Sequence, residues 1–241
     1  MVILSVGISH GNRLLLSRPP LTMNVLALGA HPDDAEIGCG GALALHADAG
    51  DRVTIACATD GEAGGIGTAP TALAAIRREE TEAAAAVLGV AELRFLGFPD
   101  GRLAWTGYDL VAALARLVRE LRPEIVYAPH SADAHPDHAA LAAAAIDAVS
   151  RAGAHAFPEL GEPHRAGELR LYAVWTPLAD VAVMVDISNV AERKAAAIRC
   201  HASQRTTAVF DEVALGLNRY RSVLLRTATY VEAFGTARTA W

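Results

Sequence analysis

The chain has 241 residues, of which 52% are hydrophobic, 20% charged and 5% aromatic, and its formal net charge is −6. This composition is typical of a globular chain with one sizeable core and excludes a disordered chain. No Lys/Arg-rich run is present, so nucleic acid is not an expected partner. The longest apolar stretch, around residues 139–149, is interrupted by Asp147 and is too short to span a membrane.

The cysteines and the N-terminal segment bear on where the protein resides. Cys39, Cys57 and Cys200 are far apart in the sequence and lack CxxC spacing, so we interpret them as buried, reduced thiols of a cytoplasmic protein. No basic segment precedes the apolar run near the N-terminus and no small-residue cleavage site follows it, which disfavours a signal peptide. We expect residues 1–22 to be an extension without chemistry and residues 23–241 to form a single domain.

Short apolar runs alternate with helical patterns along the chain. The predicted strands are 24–30, 52–58, 92–96, 124–128, 168–175 and 181–186. The predicted helices are 40–49, 71–88, 109–121, 136–149 and 190–201. This alternation predicts an α/β fold, a Rossmann-like three-layer sandwich with a mostly parallel sheet and extra C-terminal strands. The last forty or so residues mix helix and strand without clear boundaries.

Two histidine–carboxylate clusters follow predicted strands at equivalent points. Residues 31–34 (HPDD) come directly after the first strand, and residues 135–138 (HPDH) follow the fourth strand and open a helix. Both clusters therefore lie at the carboxyl ends of parallel strands, where α/β proteins form their binding crevice. We expect them to face each other across that crevice, although they are distant in the sequence.

The residue types in these clusters suit a catalytic metal. His31, Asp34 and His138 offer two imidazoles and a carboxylate, a set that suits Zn²⁺ with one position open for water and suits Fe²⁺ equally well. A divalent ion can lower the pKa of bound water to about 7. Asp33 is the candidate general base that takes the proton from this water.

The second cluster also supplies candidate proton-transfer residues. His135 is a candidate to protonate a leaving nitrogen or to stabilise an oxyanion. Asp137 is expected to orient and charge that imidazole. Pro136 fits the first helical turn, which places His138 on the turn that follows.

Each cluster also has a simpler explanation. Asp33 or Asp34 would serve only as a helix cap, as single aspartates after strands often do. HPDH by itself would be a solvated helix start with two incidental histidines. The presence of both clusters on equivalent strand ends favours a functional site. The glycines of residues 38–41 (GCGG) lack the G-x-G-x-x-G spacing and a P-loop lysine, so we interpret them as points of close helix–sheet packing.

Several motifs resemble those of the LmbE-like, or PIG-L, family of metal-dependent N-acetylglucosaminyl deacetylases. They are GAHPDDAEIGCGG at 29–41, ATDGEAGG at 58–65, RREETEAAAAVLG at 77–89, FPDG at 98–101 and HPDH at 135–138. The resemblance covers nearly all of residues 24–235. It implies an enzyme that removes the acetyl group from a small-molecule aminosugar with the help of zinc.

The resemblance also implies roles for individual residues. It gives the metal-ligand, base and acid or oxyanion roles to the same residues as the analysis above. It adds Arg77 and Asp100 as residues that bind sugar hydroxyls, for which the simpler explanations are a surface charge on a helix and a turn-forming Asp-Gly. Members of the family are commonly homo-oligomers, so a hexamer or trimer is expected.

One departure from the common motif bears on the substrate. Many members have glutamate directly after the paired aspartates, whereas here Ala35 precedes Glu36. This form, together with KAAAIRCHASQ at 194–204 and TYVEAF at 229–234, resembles the branch that acts on N-acetylglucosaminyl-malate in bacillithiol biosynthesis. The role of Glu36 stays open.

Other functions compete with this one. The same chemistry would act on chitobiose, on a mycothiol-type precursor or on an antibiotic aminosugar. A non-catalytic sugar-binding relative is disfavoured, because it would need neither Asp33 nor His135. A nucleotide-binding Rossmann protein is disfavoured by the absent glycine fingerprint.

Overall fold

The computed structural model describes residues 22–65, 67–205 and 208–238, so the predicted extension at residues 1–22 lies almost wholly outside the described residues. Seven strands of the described chain form one sheet. They are β1 (Asn24–Gly29), β2 (Arg52–Cys57), β3 (Glu92–Phe95), β4 (Ile125–Pro129), β5 (Glu168–Tyr172), β6 (Val183–Asp186) and β7 (Val231–Thr236). The first four predicted strands are confirmed to within one residue at each end.

The strand order places β1 and β4 side by side in the middle of the sheet. The order is β3-β2-β1-β4-β5-β7-β6, with β1 to β5 parallel and β7 antiparallel to both β5 and β6. The chain runs outward from β1 to β3 and then returns to the other side of β1 for β4. This reversal is the topological switch point at which open α/β sheets bind ligands.

Six α-helices cover the sheet within the described residues. They are α1 (Asp34–Asp48), α2 (Pro70–Leu88), α3 (Tyr108–Leu121), α4 (Pro136–Gly153), α5 (Ala191–Cys200) and α6 (Phe210–Arg221). Leu26 and Leu28 of β1 pack in the cluster that includes α3 and α4, whereas Val25 and Ala27 pack in the cluster that includes α1 and α2. Because side chains alternate along a strand, the sheet is buried on both faces. The predicted three-layer α/β fold is confirmed.

Helix α1 begins at Asp34, six residues before the predicted start at residue 40. The glycines of this segment are poor helix formers, which hid the first turn of the helix from the sequence pattern. They are required by close packing, because a Cβ at Gly38 would lie 2.0 Å from the ring of Tyr172 and one at Gly41 would lie 2.7 Å from Ile187. The interpretation of these glycines as packing positions is therefore confirmed.

A fully buried ion pair joins the C-terminal part of the fold to α1. Lys194 of α5 and Glu232 of β7 approach to 2.6 Å, and both side chains are 0% exposed. The carboxylate of Glu232 also accepts hydrogen bonds from the amides of Gly41 and Ala42 at 2.8 and 2.7 Å. These bonds satisfy the buried charges, so the pair fixes the positions of α5 and β7 against α1.

Two sequence expectations concern membranes and thiols. None of the helices in the described part of the chain combines the length and apolar character needed to cross a membrane. Cys39 and Cys57 are buried and Cys200 is half-buried, and all three thiols are unpaired.

Candidate active site

The two histidine–carboxylate clusters meet at the carboxyl ends of β1 and β4. His31 follows β1, and His138 lies in the first turns of α4, which begins soon after β4. The two residues are 107 positions apart in the sequence, yet Nδ1 of His31 lies 3.3 Å from Nε2 of His138. The prediction that the two clusters face one crevice therefore holds at the level of these atoms.

Asp34 completes a compact group of three side chains. Its Oδ1 atom lies 3.2 Å from Nε2 of His138, and its Oδ2 atom lies 3.5 Å from Nδ1 of His31. Ligand atoms of a tetrahedral zinc site, with bonds of about 2.0–2.1 Å, are separated by roughly 3.3–3.4 Å. The spacing of the three side chains therefore fits a divalent ion. Two other groups of side chains also lie close enough to share one: His31 with His135 and His138, and His31 with Asp100 and Asp137.

Carboxylates stand behind both imidazoles. Nδ1 of His138 lies 2.9 Å from Oδ1 of Asp133, and Nε2 of His31 lies 3.1 Å from Oδ1 of Asp100 and 3.4 Å from Oδ2 of Asp137. A carboxylate that accepts the proton of one ring nitrogen leaves the lone pair of the other nitrogen free. In both rings that other nitrogen faces Asp34, as metal coordination requires.

Electrostatics also favours positive charge at this position. Burial lowers the pKa of His138, but Asp34 and Asp133 offset burial and raise it to about 9. Burial likewise lowers the pKa of His31, while hydrogen bonds with Asp100, Asp137 and Asp34 raise it well above its ordinary value. The site thus binds protons strongly, and a divalent cation would satisfy the same carboxylates.

Asp33 lies beside this group in a strained conformation. Its φ angle is 102°, in the left-handed region, and its side chain makes no cap hydrogen bond to α1. Burial raises the pKa of Asp33 to about 6, although the nearby Arg77 guanidinium lowers it. The capping explanation fails for Asp33, because the carboxylate faces Arg77 at 3.3 Å instead of the helix amides.

Arg77 is buried beneath the site. Its guanidinium donates to the carbonyl oxygens of Pro32 and of Gly61, the latter at 3.1 Å. The side chain is only 4% exposed, so it is not the surface charge that a helix position by itself suggests. Arg77 holds the backbone next to Asp33 against the loop that follows β2.

The ring of His135 and the carboxylate of Asp137 accept hydrogen bonds from different backbone amides. Nδ1 of His135 accepts a hydrogen bond from the backbone amide of Asp137 at 3.2 Å, so the ring proton of the neutral imidazole is on Nε2. Burial lowers the pKa of His135, and the nearby rings of His31 and His138 lower it further. The carboxylate of Asp137, expected from the sequence to orient and charge His135, accepts the amides of Gly101 and Leu103 at 2.8 and 3.1 Å, and its charge acts to raise the pKa of His135.

Asp100 links the site to the loop that follows β2, which contains Ala63. Its Oδ1 atom contacts His31, and its Oδ2 atom accepts the amide of Ala63 at 2.8 Å. Asp100 and Arg77 both line the pocket that contains the histidines, a cavity of about 280 Å³.

Several residues of the site were not found from the sequence. Asp133 accepts five hydrogen bonds, from His138 and from the amides of His135, Val174, Trp175 and Thr176. These bonds end β5 at Tyr172, three residues before its predicted end. Trp175, Gln204 and Phe210 line the pocket. The D-x-H-P-D-H spacing was a signal for Asp133, whereas the other three carry no local signal.

Glu36 forms a buried ion pair with His201 outside the pocket. Its Oε1 atom lies 3.6 Å from Nε2 of His201, and both side chains are 1% exposed. Contacts with Glu36 and Asp33 offset burial and raise the pKa of His201. Glu36 therefore joins α1 to the end of α5 and does not line the pocket.

The first half of the chain matches a known protein family. The model of the GlcNAc-PI de-N-acetylase (PIG-L) family matches residues 26–149, just over half of the chain. This segment contains both histidine–carboxylate clusters. The chain belongs to the PIG-L family. It is a deacetylase, a hydrolase that acts on a carbon–nitrogen bond.

Similar proteins carry the names of deacetylases of different aminosugars. Diacetylchitobiose deacetylase of Thermococcus kodakarensis is 34% identical over 75% of this chain and 69% of that protein. The 1D-myo-inositol 2-acetamido-2-deoxy-alpha-D-glucopyranoside deacetylase of Rhodococcus erythropolis is 30% identical over 88% of this chain and 91% of its own. A probable N-acetyl-alpha-D-glucosaminyl L-malate deacetylase of Bacillus cereus is 31% identical over 78% and 86%. These similar identities do not select a branch of the family.

Solved structures share the fold. The conserved protein TT1542 from Thermus thermophilus superposes with a TM-score of 0.81 at 36% identity, covering 91% of this chain and 97% of that protein. GalB, a 4-carboxy-2-hydroxymuconate hydratase from Pseudomonas putida, superposes with a TM-score of 0.78 at 25% identity, covering 90% and 97%. The fold alone thus accommodates more than one reaction.

Proposed function

We propose that this PIG-L protein removes the acetyl group from an N-acetylglucosamine conjugate and releases acetate and a primary amine. The observation that carries the proposal is the convergence of His31, Asp34 and His138 to within 3.5 Å of one another beside the buried carboxylate of Asp33. Such an arrangement suits amide hydrolysis by an activated water.

The metal ligands that we propose are His31, Asp34 and His138. They are preferred over the three-histidine group because Asp34 faces one nitrogen of both His31 and His138 while other carboxylates face their second nitrogens. In His135, by contrast, Nδ1 accepts a backbone amide instead of facing a carboxylate. Zinc is the proposed ion, with Fe²⁺ as the alternative that the same donor set accepts. A divalent ion bound there would supply Lewis acidity, which would acidify water and polarise an amide carbonyl.

Asp33 and His135 are the proposed proton-transfer groups. Asp33 takes a proton from the attacking water, and burial beside Arg77 brings its pKa to about 6, which suits a base near neutral pH. The Nε2–H group of His135 donates a hydrogen bond to the oxyanion that forms as water adds to the carbonyl carbon. The amide C–N bond then breaks as Asp33 returns the proton it took from water to the nitrogen, which leaves as the primary amine while the acyl group leaves as acetate.

Arg77 and Asp100 have proposed roles of different kinds. Asp100 lines the pocket beside His31, so its carboxylate is placed to accept a sugar hydroxyl. Arg77 is engaged with Asp33, Pro32 and Gly61, which supports a role in holding the base more than direct binding of hydroxyls.

The conjugate is the finer part of the proposal. The sequence favours N-acetylglucosaminyl-malate, with diacetylchitobiose and the inositol conjugate as alternatives that the relatives suggest. A cytoplasmic location and a homo-oligomeric state stay predictions from the sequence.

A substrate panel tests the function. Zinc-loaded protein would be incubated with methyl N-acetylglucosaminide and the three conjugates, and released primary amine would be measured. We expect turnover by the wild type and a loss of about 10²–10⁴-fold in Asp33→Asn with the metal retained. Absence of amine release from every compound, or a normal rate in Asp33→Asn, would reject the proposal.

A further inference from the structure

A second cavity adjoins the candidate active site and shares part of its wall. It has a volume of about 130 Å³ and lies between α6 and the segment after β5. Trp175 and Phe210 line both this cavity and the pocket that contains the histidines. Much of the remaining wall is aliphatic and includes Ile37, Val174, Leu178, Val213 and Leu217. We refer to it as the apolar cavity.

The shared wall is an exposed ring on a fixed backbone. Trp175 is 47% exposed, yet its backbone amide donates to the buried carboxylate of Asp133 at 2.9 Å. Its indole lies nearly parallel to the imidazole of His138, with ring centroids 6.5 Å apart, and meets Phe210 edge to face at 5.2 Å. A molecule bound next to His138 therefore lies near Trp175, and the apolar cavity adjoins the pocket along Trp175 and Phe210.

The size and chemistry of the apolar cavity limit its occupant. An apolar cavity of about 150 Å³ accommodates benzene, so this one suits a ring or chain of about six carbon atoms. Carboxylates are poor occupants, because the transfer of charge onto aliphatic side chains is unfavourable. The wall does contain the Arg221 guanidinium, but this group donates to the carbonyl oxygen of Leu178.

We infer that the apolar cavity binds the aglycone of the substrate, and that this aglycone is a neutral apolar group. The inference rests on the proposed function, in which the acyl group removed is an acetyl group. An acetyl group has only two carbon atoms, which lie beside the metal ligands and leave the apolar cavity unused. The occupant of the cavity is therefore the group attached at the other end of the sugar, the aglycone. Such an aglycone differs from the inositol, malate or second sugar in the named substrates of the relatives, and it departs from the malate conjugate that the sequence resemblance favours.

Paired glycosides test the inference. KM would be measured with zinc-loaded protein for hexyl and methyl N-acetylglucosaminide. We expect the hexyl compound to have a KM at least about tenfold lower, as apolar groups in matching pockets produce. Val213→Glu, which places a charge at a 61% exposed position of the wall, and Leu217→Trp, which fills the cavity, should both abolish the difference. The matched control is Val223→Glu, at a 75% exposed position outside the wall, which should keep the difference.

Several outcomes would overturn the inference. One is an equal KM for the two glycosides in the wild type, and another is a preserved difference in both cavity variants. A gain from an N-hexanoyl group in place of a hexyl aglycone would assign the cavity to the acyl chain. Preference for the malate conjugate, lost in Arg221→Met, would assign it to an anion. If Val213→Glu dissociates an oligomer in light scattering and affects both glycosides equally, the cavity belongs to an interface between copies.

The cavity can also be tested without turnover. Calorimetric binding of hexyl glucosaminide, the amine product, should be weaker in Val213→Glu than in Val223→Glu. Failure of all glycosides to release amine would reject the proposed function, whereas equal binding of this product to the two variants would reject the aglycone site alone.

Discussion

Nδ1 of His138 donates to Oδ1 of Asp133 at 2.9 Å, and the other carboxylate oxygen of Asp133 accepts the amide of Trp175 at the same distance. One buried carboxylate therefore fixes both a proposed metal ligand and the aromatic wall of the pocket. Asp133→Asn should weaken zinc binding by about 10–100-fold, because the imidazole loses its charged partner. Zinc affinity would be measured by competition with a chromophoric chelator, and the protonation of the two ring nitrogens of His138 by nitrogen NMR as a function of pH in the zinc-free protein.

Asp147→Asn is the matched control for that change. It makes the same substitution on α4, at a side chain that is 43% exposed and pairs with Arg151. Unaltered zinc affinity in Asp133→Asn would show that the contact with His138 is dispensable.

A second prediction separates the two candidate ligand sets. Asp34→Asn should lose most of its zinc, because a carboxylate ligand is replaced by a weakly binding amide. His135→Gln should keep zinc and lose turnover, because His135 acts on the substrate in our proposal. Zinc content per chain after dialysis would be measured by mass spectrometry. Equal loss of zinc from both variants would instead favour the group formed by His31, His135 and His138.

A third prediction concerns stability and pH in zinc-free protein. Burial raises the pKa of Asp33 to about 6 from an unfolded value near 3.8. The folded state therefore binds this proton more strongly, and the wild type loses stability as pH rises from about 4 to 6. Asp33→Asn lacks the ionisation, so at pH 8 it should be more stable by up to about 3 kcal/mol, the equivalent of the pKa rise.

Urea unfolding at a series of pH values would measure this difference. The gap between Asp33→Asn and the wild type should close below about pH 4. Asp180→Asn, the same substitution at an exposed position, is the matched control. A gap that persists at pH 3.5 would mean that the ionisation of Asp33 is not its cause.

A fourth prediction distinguishes two roles for Asp137. If Asp137 orients and charges His135, activity should fall at high pH as His135 loses its proton, which forms the basic limb of the rate profile. Asp137→Asn would then lower the pKa of that imidazole and shift the basic limb to lower pH. The structure instead has its carboxylate accept the amides of Gly101 and Leu103. We expect a loss of about 1–3 kcal/mol in stability and little movement of the basic limb. A shift of a full pH unit without loss of stability would restore the orienting role.

The sequence predicted what depends on local pattern. The alternation of apolar runs with helices identified the first four strands, and the residues at their carboxyl ends identified both clusters. It also gave Asp33 and Asp34 different roles, as base and metal ligand, and their geometry differs: Asp34 accepts the amide of His31 at 2.9 Å, whereas Asp33 faces Arg77.

What the sequence did not predict depends on contacts between distant segments. Asp133 acquires its role only because the segment after β5 turns three amides toward it. Phe210 lines the pocket because α6 packs beside α1. The hydrophobic periodicity of the sequence does not predict this packing. The first turn of α1 was missed because its glycines serve packing against Tyr172 and Ile187 and lower the helical signal.

The buried pair of Lys194 and Glu232 has a consequence for how such a protein can diversify. Every proposed ligand and proton-transfer residue lies within the first 149 residues, whereas Trp175, Gln204 and Phe210 come from the second half of the chain. The ion pair and its bonds to the amides of Gly41 and Ala42 form a seam between the halves. A chimaera that preserves this seam could exchange the second half for that of another family member, inheriting a new selectivity without rebuilding the chemistry.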